Sequence, residues 1–153
     1  MQPRLNYFKA APAAVQAMRD LEAKVQGFGF EPLLVELVKI RASQINGCAY
    51  CLNMHTADAR RRGETEQRLY LLSAWRESPL FDARERAALA WTEALTLLAR
   101  TGAPDADYEL LKANFSEAEQ VELTLLIIAI NGWNRLAVGF RSIHPVGPAR
   151  ATG

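Results

Sequence analysis

Both cysteines of the chain and one of its two histidines lie within eight residues, at Cys48, Cys51 and His55. If this segment is helical, spacings of three and four residues put all three side chains on one face. Cysteines at positions i and i+3 of a helix have Cα atoms about 5 Å apart, within the range that a disulfide spans. A helix N-terminus and a neighbouring imidazolium both lower the pKa of a thiol. The segment therefore predicts a redox-active dithiol.

The spacing alone leaves open which sulfur reacts first. Cys51 precedes His55 by four residues, which places their Cβ atoms about 5–6 Å apart, whereas Cys48 is about 10 Å from His55 along the helix axis. A base must be within hydrogen-bond reach, directly or through one water, which favours Cys51 as the nucleophile and Cys48 as its resolving partner. The helix dipole favours the opposite assignment, because Cys48 is nearer the N-terminus.

Two other interpretations of the cluster remain open at this point. Free cysteines often serve as small buried hydrophobic residues. Cys48, Cys51 and His55 could instead bind zinc with an acidic residue from another helix, although the sequence has no second CxxC pair to complete a tetrahedral site. A thioredoxin is disfavoured because its motif requires a βαβ context. We expect neither a metal nor an organic cofactor.

A carboxylate precedes the cluster on the neighbouring predicted helix. Glu36 is flanked there by Val35, Leu37 and Val38. By default such a glutamate is a partly solvated residue at the edge of an apolar face. If it turns inward, it can orient His55 or relay protons to it.

The elements that position these residues are predicted to be helices. Pro12 and Gly27 bracket one helix, and Pro32 opens a second through about Ser43. Asn46-Gly47 breaks the second helix, and a third runs over residues 48–62. Further helices are expected over residues 65–75, 83–101, 105–113 and 117–140, the last with a kink or an end at Asn131-Gly132, and two of them begin with capping boxes at residues 82 and 116.

The fold class follows from this pattern together with the composition. Half of the 153 residues are hydrophobic and 23% are charged, an ordinary globular balance. Residues 125–130 would fit a buried strand by periodicity, but no convincing second strand is available to pair with it. We therefore predict an all-α, single-domain bundle of about seven helices over residues 1–153.

Charge and apolar patterning exclude some partners. Eighteen Lys and Arg residues against 17 Asp and Glu give a net charge of +1, which offers no electrostatic footprint for nucleic acid. The longest strongly apolar run, residues 123–130, is far shorter than the about 20 residues of a membrane span. The Ala-rich residues 10–17 do not resemble a signal peptide, and two cysteines three apart cannot staple a secreted fold. We expect a cytoplasmic protein.

The arrangement of Glu36, eleven intervening residues, Cys48-x-x-Cys51 and then His55 resembles the signature of the AhpD-like alkylhydroperoxidases, in the carboxymuconolactone decarboxylase superfamily. The flanking residues 38–47 and the distal residues 122–135 are similar to that family as well. The resemblance covers about residues 31–141. It implies an all-helical subunit in a homo-oligomer, usually a trimer or a hexamer, and thiol-dependent peroxide reduction.

The resemblance also implies a role for each residue. Cys51 resembles the peroxidatic cysteine, Cys48 the proton donor and resolving cysteine, and His55 with Glu36 the proton-relay pair. An external dithiol, of the lipoyl-protein type by analogy, would reduce the disulfide. Tyr50 stands where the best-characterised members carry a second histidine. Decarboxylases of the superfamily generally lack the CxxC, so lactone decarboxylation is disfavoured, and a non-catalytic metal- or ligand-binding module is the alternative function.

Overall fold

The computed structural model describes residues 2–147, which form nine α-helices, one 3₁₀ turn at Leu72–Ala74 and no β-strand. The α-helices are α1 (Tyr7–Ala10), α2 (Pro12–Gln26), α3 (Pro32–Asn46), α4 (Ala49–Arg61), α5 (Glu66–Leu71), α6 (Ala83–Thr96), α7 (Leu98–Thr101), α8 (Asp105–Asn114) and α9 (Glu117–Gly139). The all-α prediction is confirmed.

Most helix ends are where local chemistry predicts them. Pro12 and Pro32 occupy the first turns of α2 and α3, and the predicted capping boxes open α6 and α9. At the capping box of α9, the Glu119 backbone N–H donates to Ser116 Oγ, and the Ser116 N–H donates to the Glu119 carboxylate. These bonds satisfy N–H groups that have no partner inside the helix.

Within residues 2–147, the helices depart from the predicted seven at three places, two of which add an α-helix. The short α1, capped by Asn6, has no periodic apolar signal and was not predicted. The helix expected over residues 65–75 tightens into the 3₁₀ turn after Leu71. The helix expected over residues 83–101 divides at Leu97 into α6 and α7.

In contrast, α9 continues through Asn131-Gly132, where a break or kink was expected. Asn131 is buried, and its amide donates to the Ile127 carbonyl and to Thr96 Oγ1, so its side chain does not compete with the helix. Gly132 packs against α2, where a Cβ atom would come within 2.8 Å of Met18 Cε. The Asn-Gly pair therefore serves helix packing and not a turn.

Helix α3 lies at the centre of the bundle and packs against α4, α6 and α9. Leu34 and Val38 belong to one buried cluster, with side chains from α2, α6, α8 and α9. Leu37 and Ile40 belong to a second, with Ala59 of α4 and side chains around the 3₁₀ turn. A helix buried on several sides has little room for charge, so the charged residues it buries require an explanation.

By length and composition α9 is also apolar enough to cross a membrane. Eight of its residues are nevertheless buried inside the bundle. The apolar character of α9 is therefore accounted for by its place in the protein core, since core helices pass the same test.

Candidate active site

The turn between α3 and α4 brings the two cysteines together. Gly47 ends α3 in the left-handed conformation, with φ +65°, and Cys48 follows as the N-cap of α4. The Cys48 backbone N–H donates to the Ser43 carbonyl over 3.0 Å, and the Cys51 N–H points at Cys48 Sγ over 3.3 Å. The two sulfurs form a disulfide, with Cα atoms 5.3 Å apart. Both cysteines are buried.

His55 and Glu36 face each other across α3 and α4. His55 Nδ1 lies 2.9 Å from Glu36 Oε2, and both side chains are buried. Arg62, just beyond α4, brings its Nε to 3.6 Å from Glu36 Oε1. Glu36 is thus a buried carboxylate with a histidine and a cation as neighbours, not the solvated edge residue that its default interpretation suggests.

A second buried charge lies one turn after Glu36 on the same helix. Lys39 is 4% exposed, and its Nζ bonds the carboxylate of Glu22 on α2. Burial raises the pKa of Glu22, but the charge and hydrogen bond of Lys39, with smaller contributions from Gln26 and the charge of His55, lower it by more. The carboxylate is therefore held in its ionised form, paired with Lys39.

These groups line one cavity of about 430 Å³. Its polar wall includes Glu36, His55 and Lys39, and Cys51 also lines it, whereas Cys48 does not. The rest of the lining is largely apolar and aromatic, and it includes Tyr7, Phe8, Tyr50, Met54, Ile130, Trp133 and Ala137. A molecule in this cavity would share it with the sulfur of Cys51, a histidine–carboxylate pair and an apolar surface.

Three asparagine amides, two of them buried, fix the turn that carries Cys48. Asn46 Nδ2 donates to Asn131 Oδ1 over 3.0 Å and to Asn134 Oδ1 over 2.8 Å. Asn134 in turn donates to Ser43 Oγ over 3.0 Å. Ser43 is the residue whose carbonyl holds the Cys48 N–H. The amides therefore tie the end of α3 to α9, and the fully bonded network gives the turn one defined position.

The four residues singled out from the sequence, Glu36, Cys48, Cys51 and His55, lie in this one region. Sequence reasoning missed others that line the same cavity, namely Glu22, Lys39, Asp58, Arg62 and the aromatic wall. Lys39 carried a usable signal, since a lysine one turn from Glu36 on a largely apolar helix is unusual. The wall residues from α1 and α9 carried none, because they reach the site only through tertiary packing.

Three of the polar groups could hold a metal ion. One ligand atom each from Glu36, His55 and Asp58 lies within 4.8 Å of the others. The zinc site considered from the sequence used the two sulfurs with His55. In the disulfide state those sulfurs bind each other, and the remaining donor set shifts to the carboxylates.

Known proteins are similar to this chain in sequence and structure. Residues 9–94 match the carboxymuconolactone decarboxylase family. The uncharacterized protein YdfG of Bacillus subtilis is 41% identical over 138 residues, which cover 90% of this chain and 94% of YdfG. A solved structure from Agrobacterium tumefaciens, ATU0492, is 51% identical with a TM-score of 0.93, and the match covers 95% of this chain and 100% of that one. ATU0492 has no known function, but an AhpD role in antioxidant defence has been suggested for it.

A more distant structure shares the fold alone. The debrominase Bmp8 superposes with a TM-score of 0.81 at 20% identity, covering 90% of this chain and 74% of Bmp8. This helical architecture therefore extends to proteins whose sequences have diverged widely.

Proposed function

The chain belongs to the carboxymuconolactone decarboxylase family, and from this premise we propose that it is a thiol-dependent peroxidase that reduces hydroperoxides through a Cys48–Cys51 dithiol/disulfide cycle. The observation that carries the proposal is the position of Cys51. It lines the cavity together with the hydrogen-bonded His55–Glu36 pair, and its sulfur is already bonded to the resolving partner. The AhpD role suggested for ATU0492 gives further support.

In the first step, the Cys51 thiolate attacks the terminal oxygen of the hydroperoxide. The S–O bond forms while the O–O bond breaks, so that Cys51 becomes a sulfenic acid and the substrate leaves as an alkoxide. Protonated His55 donates a proton to the alkoxide, which departs as the alcohol. Glu36 on Nδ1 orients the ring, and the other ring nitrogen remains for this transfer.

In the second step, the Cys48 sulfur attacks the Cys51 sulfenic acid. The S–S bond forms, and the hydroxyl leaves with the thiol proton as water. An external dithiol then reduces the disulfide by exchange and is itself oxidised to a disulfide. The resemblance to AhpD-like proteins suggests a lipoyl-type protein for this role. The cycle uses no metal or organic cofactor, and we place it in the cytoplasm, where thiols are kept reduced.

A thiol titration tests the proposal. The protein is fully reduced, its thiols are counted, and one equivalent of an organic hydroperoxide is added. The proposal predicts the loss of two thiols per chain, one equivalent of alcohol and an intramolecular Cys48–Cys51 disulfide. Thiols that remain inert to peroxide would contradict it.

A second candidate is a non-catalytic metal-binding module, which the grouping of Glu36, His55 and Asp58 favours. Metal analysis of the purified protein distinguishes the two functions. One tightly held zinc per chain, together with peroxide-insensitive thiols, would support metal binding. Loss of both thiols in a metal-free protein would support the peroxidase.

A further inference from the structure

We propose that the ion pair between buried Lys39 and partly buried Glu22 sets the electrostatic potential at Cys51, with Lys39 stabilising the thiolate and Glu22 limiting that effect. The inference deepens the proposed function and rests on it in one respect, the identity of Cys51 as the reacting sulfur. It assigns a role to two charged residues that the dithiol cycle does not use.

The stability of the fold does not account for this pair. Taking Lys39 and most of the Glu22 side chain out of water costs free energy, and apolar residues of similar volume are often at least as stabilising. Lys39 nevertheless lies on α3, whose other neighbouring positions are filled by Leu37, Val38 and Ile40. The desolvation of this pair is therefore unfavourable for folding, and its position is better explained by a role at the cavity.

That position is the wall of the cavity. Lys39 and Glu36 are three residues apart on α3, and both line the space that Cys51 lines. Inside a protein a charge acts over several ångströms with much less screening than in water. Glu22 is close enough to His55 that the charge of the imidazole helps lower the pKa of Glu22. The Lys39–Glu22 pair and the reacting groups thus share one electrostatic environment.

The charges around the cavity are balanced. Apart from His55, three cations and three anions line it: Arg19, Lys39, Arg62, Glu22, Glu36 and Asp58. Among the described residues, α1 and α9 add only aromatic and apolar side chains to the wall. Removing one member of the Lys39–Glu22 pair therefore leaves an uncompensated charge near the sulfur, of opposite sign in the two cases.

This opposition of sign is what separates an electrostatic role from a structural one. Lys39→Met removes a cation and leaves Glu22, so the Cys51 thiolate loses stabilisation and its pKa rises. Glu22→Gln removes the anion and leaves Lys39, so the pKa of Cys51 falls. A salt bridge that only held α2 against α3 would give two variants that are perturbed in the same direction or not at all.

The experiment measures the pH dependence of Cys51 alkylation by iodoacetamide, a neutral reagent. Cys48→Ser is the background, because it leaves Cys51 as the single thiol of the chain. We expect the midpoint to rise by about 1 pH unit in Lys39→Met and to fall by about 1 unit in Glu22→Gln. The double variant Lys39→Met/Glu22→Gln restores the balance and should return the midpoint close to that of the parent.

The exposed pair Lys112–Glu109 supplies matched controls, since Lys112→Met and Glu109→Gln make the same charge changes outside the cavity wall. Both controls should keep the parent midpoint. If Lys39→Met does not fold, Glu22→Gln and the double variant still decide the question. A midpoint that rises or stays unchanged in Glu22→Gln overturns the proposal.

The outcome is independent of whether the protein turns over peroxide. If Lys39→Met and Glu22→Gln shift the midpoint in opposite directions while the wild-type protein consumes no hydroperoxide, this inference stands and the proposed function is contradicted. If both variants shift the midpoint in the same direction while the wild-type protein consumes hydroperoxide, only this inference is contradicted.

Discussion

His55 Nδ1 and Glu36 Oε2 are 2.9 Å apart and buried, although 18 residues separate them in the chain. The contact exists because α3 and α4 pack side by side after the turn at Gly47. His55 is also one helical turn from Cys51, and these two residues and Ala59 form the buried stripe of α4. One histidine therefore bonds the carboxylate and lies one helical turn from the cysteine.

Glu36→Gln should raise the pKa of Cys51 and slow peroxide reduction by about 10²-fold, a usual scale for the loss of one acid–base element. The substitution removes the negative charge that orients His55 and pairs with its imidazolium, the group that stabilises the thiolate one turn away. The fold should survive, since the amide can still hydrogen-bond. The measurement is pH-dependent alkylation in the Cys48→Ser background, with exposed Glu109→Gln as control. Profiles that superimpose would show that the pair does not act on Cys51.

Gly47→Ala should destabilise the protein by about 1–2 kcal/mol, the cost of a left-handed conformation for a residue with a Cβ atom. Gly139→Ala is the matched control, because a Cβ atom at either glycine meets nothing within 4 Å but only Gly47 has a positive φ. In the helical setting of Gly139, alanine should be neutral or slightly stabilising. Thermal unfolding measures both variants. Equal midpoints would mean that the turn before Cys48 tolerates side chains freely.

Glu93→Gln should weaken the bundle at neutral pH and flatten its acid denaturation. Burial raises the pKa of Glu93, but hydrogen bonds from Trp75, Arg41 and Arg76 lower it below its ordinary 4.5. Ionised Glu93 therefore stabilises the fold above pH 4.5, and this contribution is lost as the pH falls through the lower pKa of the folded state. Between pH 4.5 and the lower pKa of Glu93 in the folded state, the free energy of unfolding of the wild type should fall more steeply than that of the variant.

Denaturant unfolding from pH 7 to pH 2.5 checks this expectation. The loss at pH 7 should be about 1.5–3 kcal/mol, the range for hydrogen bonds to a charged group. Identical pH slopes for the wild type and Glu93→Gln would show that the carboxylate contributes no linked stability.

The protein should assemble into a closed homo-oligomer, a trimer or a hexamer. Trp133 and Phe140 pack against Phe8 and Tyr7 of α1 within the same chain. The apolar side chains left exposed on α9 include Val121 at 62% and Ile128 at 51%. Two such residues, seven apart, lie on one helix face and form a surface that a second copy can cover.

Light scattering at micromolar concentration should give three or six times the chain mass of 17.0 kDa. Ile128→Glu should reduce the measured mass, whereas Val146→Glu, at an exposed apolar position outside α9, should not. A wild-type mass of a single chain would overturn this prediction.

Much of the fold could be predicted from local signals, because prolines, capping boxes and the Gly47 break act within one or two turns. The proximity of Cys48, Cys51 and His55 was also local, since all three belong to α4 or its N-cap. The burial of Glu36 was not predictable by the same means. The apolar neighbours of Glu36 on α3 are equally compatible with a solvated glutamate at the edge of the apolar face. Only the packing of α4 against α3 buries its carboxylate.

The features that could not be predicted depend on contacts between distant segments. Lys39 meets Glu22 across 17 residues, and Phe8 meets Trp133 across far more of the chain. Asn131-Gly132 was misread because its turn chemistry is overridden by helix packing against Met18. In each case the sequence shows the residue types, but the residue that each one contacts lies on another helix and cannot be inferred from the local sequence.

The proposed cycle makes Cys51 the sulfur that attacks the peroxide. Its most direct test is dimedone trapping of sulfenic acid, read by mass spectrometry after one equivalent of an organic hydroperoxide is added to reduced Cys48→Ser and reduced Cys51→Ser. We predict a single dimedone adduct on Cys51 in Cys48→Ser, without turnover, and neither adduct nor peroxide consumption in Cys51→Ser. An adduct on Cys48 in Cys51→Ser, with none in Cys48→Ser, would contradict the assignment and reverse the roles of the two cysteines.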